Sequence, residues 1–287
     1  MARPNEGSTA AESSELWDLE HFQELWLRET DRWDGTGAKF GEAMLDAARL
    51  TQGERVLDVG CGHGTTTLEA ARRVAPGGAA VGVDITVPLL ARARERAEEA
   101  GVDNVGFLEG DAQVHPFEEG AFDAVISRFG TMFFQDPEAA FANLGRAVRP
   151  GGRLAIVCWQ GPLESEWIAV AAGVVVAHFG TPPDLGPPGA PGPFAFADGD
   201  RLRRVIEAGG FGDVTIEAIT RSMRMGEDVG DVVELITSLD QTKALFEGQP
   251  AEKVAAAVDA LREGFSPYDG PDGVVMNGTA WLASANR

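Results

Sequence analysis

The chain has 287 residues, of which 44% are hydrophobic and 24% charged, a composition typical of a soluble globular protein with a sizeable core. Its formal net charge of -21 opposes binding to nucleic acid or to an anionic membrane surface, because like charges repel. Cys61 and Cys158 lie far apart without metal-type spacing, so we expect reduced thiols, no metal site and a cytoplasmic protein. No apolar run reaches the ~18 residues of a membrane span, and the polar N-terminus does not resemble a secretory signal.

The first fifty residues predict a tail followed by two helices. Residues 1–14 are small and polar, which is typical of a disordered tail. Apolar residues recur at helical spacing over 15–31. The segment Asp34-Gly35-Thr36-Gly37 predicts a break, and a second helix is expected at roughly 38–50.

From residue 55 onward, short apolar strands alternate with helices. The strands are predicted at 55–59, 79–84, 105–109, 122–127, 153–159, 214–219 and 273–285. The helices are predicted at 65–74, 88–100, 137–147, 165–179, 201–208 and 227–264, whereas the segment 181–193, dense in Pro and Gly, is expected to be irregular. This alternation predicts right-handed βαβ crossovers and a mostly parallel sheet with helices on both faces.

The segment Val56–Thr65 carries the strongest motif, because a buried strand runs there into a glycine-rich turn and then a helix. Glycines permit positive φ and close approach of a ligand, and ligands bind open α/β sheets at the carboxyl ends of strands. An NAD-type fingerprint would place its third glycine at position 65, but here it is Gly64. Asp58 would repel a pyrophosphate and attract an amino group or a sulfonium. The charge therefore favours a zwitterionic cofactor with a cationic sulfur over a dinucleotide.

Six segments in chain order resemble the motifs of the class I S-adenosylmethionine-dependent methyltransferases, especially the small-molecule enzymes of ubiquinone and menaquinone biosynthesis. They are Val56–Thr65, Val81–Asp84, Leu108–Ala112, Phe122–Arg128, Leu144–Leu154 and Gly209–Phe211. The resemblance implies a Rossmann-like fold with a seven-stranded, mostly parallel sheet in the order 3-2-1-4-5-7-6. Helices would cover both faces, and the last strand would be antiparallel.

The same resemblance implies S-adenosylmethionine as the cofactor and S-adenosylhomocysteine as the product. It implies that Asp84 holds the ribose hydroxyls and that Asp111 and the Ala112 amide lie at the adenine edge. The expected cofactor-binding residues are Trp33, Asp58, Gly60, Cys61, Gly62, Gly64, Thr65, Asp84, Ile85, Gly110, Asp111, Ala112, Ser127, Arg128 and Phe129.

The resemblance also divides the chain. Residues 15–50 would be N-terminal helices that cover the cofactor site, and residues 51–287 would form the methyltransferase domain. Insertions at 160–199 and 225–270 would then build a helical cap with a pocket for the acceptor.

Methyl transfer from a sulfonium is an in-line displacement, so the protein mainly supplies binding, alignment and desolvation. Where the acceptor must lose a proton, His115 is the candidate general base. Arg128 is expected to pair with Asp123 or Asp136, or to meet an anionic acceptor, and His63 to make a backbone or solvent contact.

The predicted function is methyl transfer to a small molecule by a monomer or homodimer that binds neither nucleic acid nor membranes. A methyltransferase acting on a basic peptide and a non-catalytic cofactor-binding module remain alternatives.

Overall fold

The computed structural model describes residues 29–181 and 187–287. The tail predicted at 1–14 and most of the helix predicted over 15–31 lie outside the described residues. Within the described ranges, no helix is long and apolar enough to cross a bilayer.

One mixed sheet organises the described residues. Its strands are β1 (Arg55–Val59), β2 (Ala79–Asp84), β3 (Val105–Glu109), β4 (Phe122–Arg128), β5 (Val148–Trp159), β6 (Gly212–Gly226), β7 (Asp269–Gly270) and β8 (Gly273–Asn286). The strand order is β3-β2-β1-β4-β5-β8-β6, and β7 pairs with β8 off this path. The first five strands are parallel, and β8 is antiparallel to both neighbours. The predicted fold class is thus confirmed, with the two-residue β7 as an addition that makes the last strand the eighth.

Nine α-helices connect or cover these strands within the described residues. They are α1 (Thr30–Ala48), α2 (Thr65–Val74), α3 (Val87–Ala100), α4 (Pro137–Ala147), α5 (Glu166–Phe179), α6 (Gly199–Ala208), α7 (Val229–Ser238), α8 (Asp240–Phe246) and α9 (Ala251–Phe265). The long helix predicted at 227–264 is therefore three shorter helices. Leu239 has an extended backbone between the first two, with φ -68° and ψ 139°, and Pro250 precedes the third.

Both faces of the sheet are buried, as expected for parallel strands joined by crossover helices. On one face, Leu57 and Ile156 pack in a core with Phe141 of α4 and Ile206 of α6. On the other face, neighbouring strand residues pack in a second core with α1, α2, α7 and α9; its members include Val56, Ala155, Phe40, Val74, Val232 and Phe265. Because side chains alternate along a strand, Val56 and Leu57 serve opposite cores.

Strands β6 and β8 extend beyond the edge of the sheet. The pairing of β5 with β8 ends at Trp159 opposite Ala280, but β6 and β8 remain paired from Ile219 opposite Ala280 to Gly226 opposite Val274. Residues 220–226 and 274–279 therefore form a two-stranded ribbon that projects past the carboxyl end of β5. The sequence predicted a shorter β6, ending at residue 219, because the extension depends on pairing between distant segments.

The predicted helix break at Asp34–Gly37 is wrong, since α1 runs without interruption from Thr30 to Ala48. Contacts of α1 with the rest of the protein outweigh the low helix propensity of glycine. Thr36 donates a hydrogen bond to the Arg224 carbonyl at 3.2 Å, and Phe40 and Met44 are fully buried. The glycines of this segment serve a different purpose, described below.

Candidate functional site

The loop between β1 and α2 turns sharply at the carboxyl edge of the sheet. Gly60, Gly62 and Gly64 have φ values of 64°, 53° and 84°, which is the left-handed region that side chains with a Cβ rarely adopt. The Gly60 N–H donates to the carbonyl of Val83 at 2.9 Å. The loop is therefore fixed to the neighbouring strand β2.

The three loop glycines face different surroundings. A Cβ on Gly60 would lie 2.7 Å from the Gly130 Cα, and one on Gly64 would lie 3.0 Å from both Ala93 and Phe107. A Cβ on Gly62 would meet no atom within 4 Å. The protein's own packing thus requires glycine at positions 60 and 64, whereas Gly62 opens onto free space.

Asp84 ends β2 beside this opening. Its Oδ2 accepts a hydrogen bond from the Gly62 N–H at 2.8 Å, and its Oδ1 accepts one from the Thr86 N–H at 2.9 Å. Burial raises the pKa of Asp84, while these two backbone donors act in the opposite direction. Each carboxylate oxygen keeps a further lone pair, so Asp84 can accept two hydroxyl protons. The next residue, Ile85, is half-buried.

Asp58 lies inside β1 and is fully buried. Its Oδ2 accepts hydrogen bonds from the hydroxyls of Thr66 and Thr67, both at 2.7 Å. Its Oδ1 is buried and has no hydrogen-bond partner among the described residues. Burial raises the pKa of Asp58 to about 6. An unpaired buried carboxylate oxygen is costly, so this atom calls for a donor or a positive charge.

Asp111 shows the same arrangement at the end of β3. Its Oδ1 accepts from the Gln113 N–H at 2.8 Å, and its buried Oδ2 has no partner within the described ranges. Gly110 donates its N–H to the Asp84 carbonyl at 3.0 Å, which joins this turn to the end of β2. Ala112 is buried, and its carbonyl accepts from the Asn143 side chain at 2.9 Å. Two orphaned carboxylate oxygens therefore border the same edge of the sheet.

The end of β4 is fastened to the glycine loop. The buried Ser127 hydroxyl donates to the Val59 carbonyl at 2.7 Å. Phe129 has a φ of 62° and stacks on Trp159 with ring centroids 4.0 Å apart. A left-handed backbone at a residue with a side chain is strained, and such strain clusters at functional sites. Phe40 contacts both rings edge to face, at 5.6 and 5.3 Å, so an aromatic group closes this end of the strand.

Asp34 of α1 gathers four side chains around the loop. It accepts hydrogen bonds from Thr65 at 2.7 Å, Arg96 at 2.8 Å and Arg128 at 3.1 Å, and the Nε2 atom of His63 lies 3.5 Å away. The positive charge of Arg128 and the hydrogen bonds from Thr65 and Arg96 hold the pKa of Asp34 below its usual value against the effect of burial. The sequence did not single out Asp34 for this role.

His63 is 3% exposed, so the predicted solvent contact is wrong, and its ring contacts the side chains gathered around Asp34. Its Nδ1 lies 2.8 Å from Nη1 of Arg96. A guanidinium can only donate, so Nδ1 carries the lone pair, and the ring is neutral with its proton on Nε2. Burial lowers the pKa of His63 to about 4, in agreement with this assignment.

Arg128 lies against α1 rather than beside Asp123 or Asp136, so the predicted pairing is wrong. Asp123 instead binds Arg149 at 2.6 Å, and Asp136 caps α4. A Cβ on Gly37 would lie 3.3 Å from Nη1 of Arg128, and one on Gly41 would lie 3.1 Å from its Cδ. The two glycines therefore form a groove for the arginine. Asp34, Gly37 and Gly41 follow the helical spacing of three and four residues, a sequence signal that could have revealed this face.

Comparison with known proteins identifies the segment that carries this edge of the sheet. Residues 56–152 match the family described as a methyltransferase domain. Residues 56–152 are thus similar to a methyltransferase domain. That domain contains the glycine loop, Asp84, Asp111 and the end of β4.

Two named relatives align with the methyltransferase domain. Demethylmenaquinone methyltransferase of Thermus thermophilus is 41% identical over 128 residues, covering 45% of this chain and 57% of that protein. Nocamycin O-methyltransferase of Saccharothrix syringae is 36% identical over 128 residues, covering 43% of this chain and 46% of that protein. The chain thus spans about half the length of the curated relatives it matches.

A solved structure extends the likeness of fold beyond the methyltransferase domain. The YcgJ protein of Bacillus subtilis has a TM-score of 0.55 to this chain at 19% identity, with 86% of this chain and 97% of that chain covered. The two chains therefore share a fold.

Three further residues were predicted from the sequence to bind the cofactor or transfer a proton, and the structure gives their surroundings. The Cys61 side chain is buried against β2, where a Cβ on Gly82 would lie 2.7 Å from its Sγ, and burial raises the pKa of its thiol. His115 is half-buried with its ring 4.6 Å from that of Phe117. Trp33 is half-buried in α1, next to Asp34. Their predicted roles in cofactor binding and proton transfer remain predictions.

Proposed function

We propose that this chain transfers a methyl group from S-adenosylmethionine to a small-molecule acceptor by in-line displacement. The methyltransferase domain and its relatives support the reaction class. Those relatives are named for the small molecules demethylmenaquinone and nocamycin, which supports an acceptor of small size.

The residues around Gly62 fit this cofactor in space and in charge. The open side of Gly62 admits a ligand to the backbone, and the Asp84 carboxylate can accept both hydroxyls of a ribose. The orphaned Oδ2 of Asp111 suits an exocyclic amine. The observation that carries the proposal is the buried, unpaired Oδ1 of Asp58, which suits a positively charged ligand and opposes a pyrophosphate.

The cofactor, when bound, supplies a methyl group that is already activated, so the chain needs no nucleophile of its own. Its residues bind and align the reactants. The aromatic group of Phe40, Phe129 and Trp159 supplies apolar surface that excludes water at the end of β4. His115 remains the candidate base, and because its Nδ1 faces Gly110, Nε2 is the atom that would accept a proton from the acceptor.

The acceptor site is proposed to lie beneath a cap formed by residues 160–199 and 225–270. The ribbon of residues 220–226 and 274–279 supports this placement, because it projects past the carboxyl end of β5. Residues 15–50 are proposed to cover the cofactor. We further propose a cytoplasmic protein that works as a monomer or homodimer, without a nucleic-acid or membrane partner.

Calorimetry with S-adenosylhomocysteine tests the cofactor site. Gly62→Val places a branched side chain in the open space and is expected to abolish detectable binding. Gly101→Val is the matched control, because Gly101 also has positive φ, 61°, and no atom within 4 Å of its Cβ position. Normal binding by the Gly62 variant would contradict the proposed site, as would equal losses in both variants.

Methyl transfer is tested with labelled cofactor and a panel of quinones, phenols, amines and basic peptides. Label is expected in a small molecule. Label only in peptides would favour a peptide methyltransferase. Binding of the product without transfer to any acceptor would favour a non-catalytic module.

A further inference from the structure

The cluster around Asp34 holds more positive than negative charge. The guanidinium groups of Arg96 and Arg128 converge on the single carboxylate of Asp34, and the adjacent His63 is neutral because its Nδ1 accepts from Arg96. The side chains of Arg96 and Arg128 are only 24% and 13% exposed. Two guanidinium groups that are held this far out of water by one carboxylate can accept a further anion.

Both arginines keep unused hydrogen-bond donors. Within residues 29–181 and 187–287, Arg128 donates hydrogen bonds only from Nη2, to Asp34. Arg96 donates only from Nη1, to Asp34 and His63. A guanidinium has five N–H donors in a planar fork that matches a carboxylate. Each arginine can therefore receive a second carboxylate without releasing Asp34.

The cluster lies at the loop that contains Gly62. His63 and Thr65 of this loop both contact the cluster. The Arg128 stem passes beside Thr66, because a Cβ on Gly41 would lie 3.1 Å from Arg128 Cδ and 3.4 Å from the Thr66 methyl group. Thr66 in turn donates its hydroxyl to Asp58. Thr66 thus lies between the Arg128 stem and the Asp58 carboxylate, whose other oxygen, Oδ1, is the orphaned one.

We propose that Arg96 and Arg128 form the subsite for the carboxylate of the cofactor's amino-acid end, while Asp34 holds both guanidinium groups in place. This inference rests on the proposed function. The amino-acid end is a zwitterion, and the loop offers one charge of each sign: the unpaired Asp58 oxygen for the ammonium group and the arginine pair for the carboxylate. Asp34 also offsets the repulsion between the two arginines, which would otherwise separate them.

The two halves of the ligand can be tested separately. S-adenosylhomocysteine has the amino-acid end, and 5′-deoxy-5′-methylthioadenosine has the same nucleoside and thioether sulfur without it. In calorimetry, Arg128→Met and Arg96→Met are each expected to weaken binding of the first ligand at least tenfold. Binding of the second ligand is expected to change less than twofold.

Arg92→Met is the matched control, because Arg92 lies one turn before Arg96 on α3 and pairs with Glu95 and Glu99 instead. Its affinities are expected to equal those of the wild type. If Arg128→Met fails to fold, Arg96→Met, at a more exposed position, decides the question.

Equal losses for both ligands would overturn the proposal, because they would show that the arginines only hold the loop. Unchanged affinity for S-adenosylhomocysteine would overturn it as well. If the wild-type protein binds neither ligand, both the proposed function and the subsite are refuted. If the wild type binds but the arginine variants lose affinity equally for both ligands, only the subsite is refuted.

Discussion

The glycine loop and the ribbon with its cap are built from different kinds of contacts. The loop is fixed by backbone hydrogen bonds between neighbouring strands, such as Gly60 to Val83 and Gly62 to Asp84. The ribbon is fixed by pairing of residues about fifty positions apart and by side chains of α1 and α7. The similarity to named relatives likewise covers 128 residues, and the family match ends at residue 152. The glycine loop is thus encoded locally, whereas the ribbon depends on the pairing of segments that are distant in the sequence.

Helix α1 joins the two regions, and Phe40 is its most deeply buried aromatic residue. Phe40→Ala is expected to lower the free energy of unfolding by about 3–5 kcal/mol, the usual cost of removing a buried phenyl ring. Denaturant unfolding measures the effect. Phe141→Ala, in the opposite core, is the control and is expected to cost a similar amount. If Phe40→Ala lowers the free energy of unfolding by less than about 1 kcal/mol while Phe141→Ala has its full effect, α1 is only loosely attached to the sheet. Helix α1 would then not join the loop to the ribbon.

His63 gives the loop a dependence on pH. Its pKa is about 4 in the folded protein and about 6.5 in an unfolded chain, so only the unfolded chain gains a proton as the pH falls from about 6.5 to 4. Stability from this group is therefore complete above that window and is lost below it, by about 3 kcal/mol in total. His63→Gln is expected to lose less stability than the wild type between pH 7 and 4.5 in urea titrations. Parallel curves for the two proteins would contradict the assignment.

Asp58 changes the stability of the folded protein in the opposite direction over nearly the same pH range. Its pKa is about 6 in the folded protein and about 3.9 in an unfolded chain, so its contribution is complete below pH 3.9 and is lost as the pH rises through 6. Asp58→Asn is expected to gain stability relative to the wild type as the pH rises from 4 to 7. A relative loss over that range would show that the carboxylate has a partner.

Asp84 tests the cofactor region directly. Asp84→Ala is expected to weaken binding of S-adenosylhomocysteine by about 1.5–3 kcal/mol, the scale of hydrogen bonds to a charged group. Calorimetry measures the change, with Asp103→Ala as the control, because Asp103 is an exposed residue of the loop between α3 and β3. Unchanged affinity in the Asp84 variant would contradict the proposal that Asp84 binds the ribose hydroxyls.

The smallest expected effect concerns the link between α1 and the cap. Arg32 pairs with Asp231 of α7 and donates to the Met225 carbonyl at 2.8 Å. Arg32→Ala is expected to cost about 1 kcal/mol of unfolding free energy, the upper end for a partly exposed pair. Arg262→Ala, which breaks an exposed pair with Asp259 in α9, is expected to cost less. A larger cost for Arg262 would mean that the cap is held by its own surface charges.

Local signals in the sequence predicted most of the sheet. The strands 55–59, 79–84 and 105–109 and the helices 65–74 and 137–147 were predicted with the bounds that the structure shows, because apolar runs, glycines and prolines mark their ends. The helix break at Asp34–Gly37 and the short β6 were wrong. In both cases a distant contact decides the structure: Arg128 fills the glycine groove, and β8 extends its partner strand.

The candidate site likewise has residues that local sequence signals predicted and residues that only the folded structure reveals. The strand-loop-helix pattern placed Gly62, Asp58 and Asp84 at one edge of the sheet, where the structure has them. It did not reveal Asp34, since residues 34, 96 and 128 come together only in the folded chain. It also placed Arg128 with the wrong partner, because nearness in sequence to Asp123 and Asp136 says nothing about which carboxylate lies in reach.

The unbroken pairing of β6 with β8 has a practical consequence for redesign of this protein. Ile219 and Ala280 face each other at the row where β5 stops, so a segment exchanged between these two positions would carry the whole ribbon and the helices between its strands. Both junctions would fall inside regular hydrogen-bonded backbone. A chimera made there would receive a new ribbon and new helices while the edge that carries Gly62 and Asp84 stays intact, so residues 220–279 form a cassette for testing the proposed acceptor site.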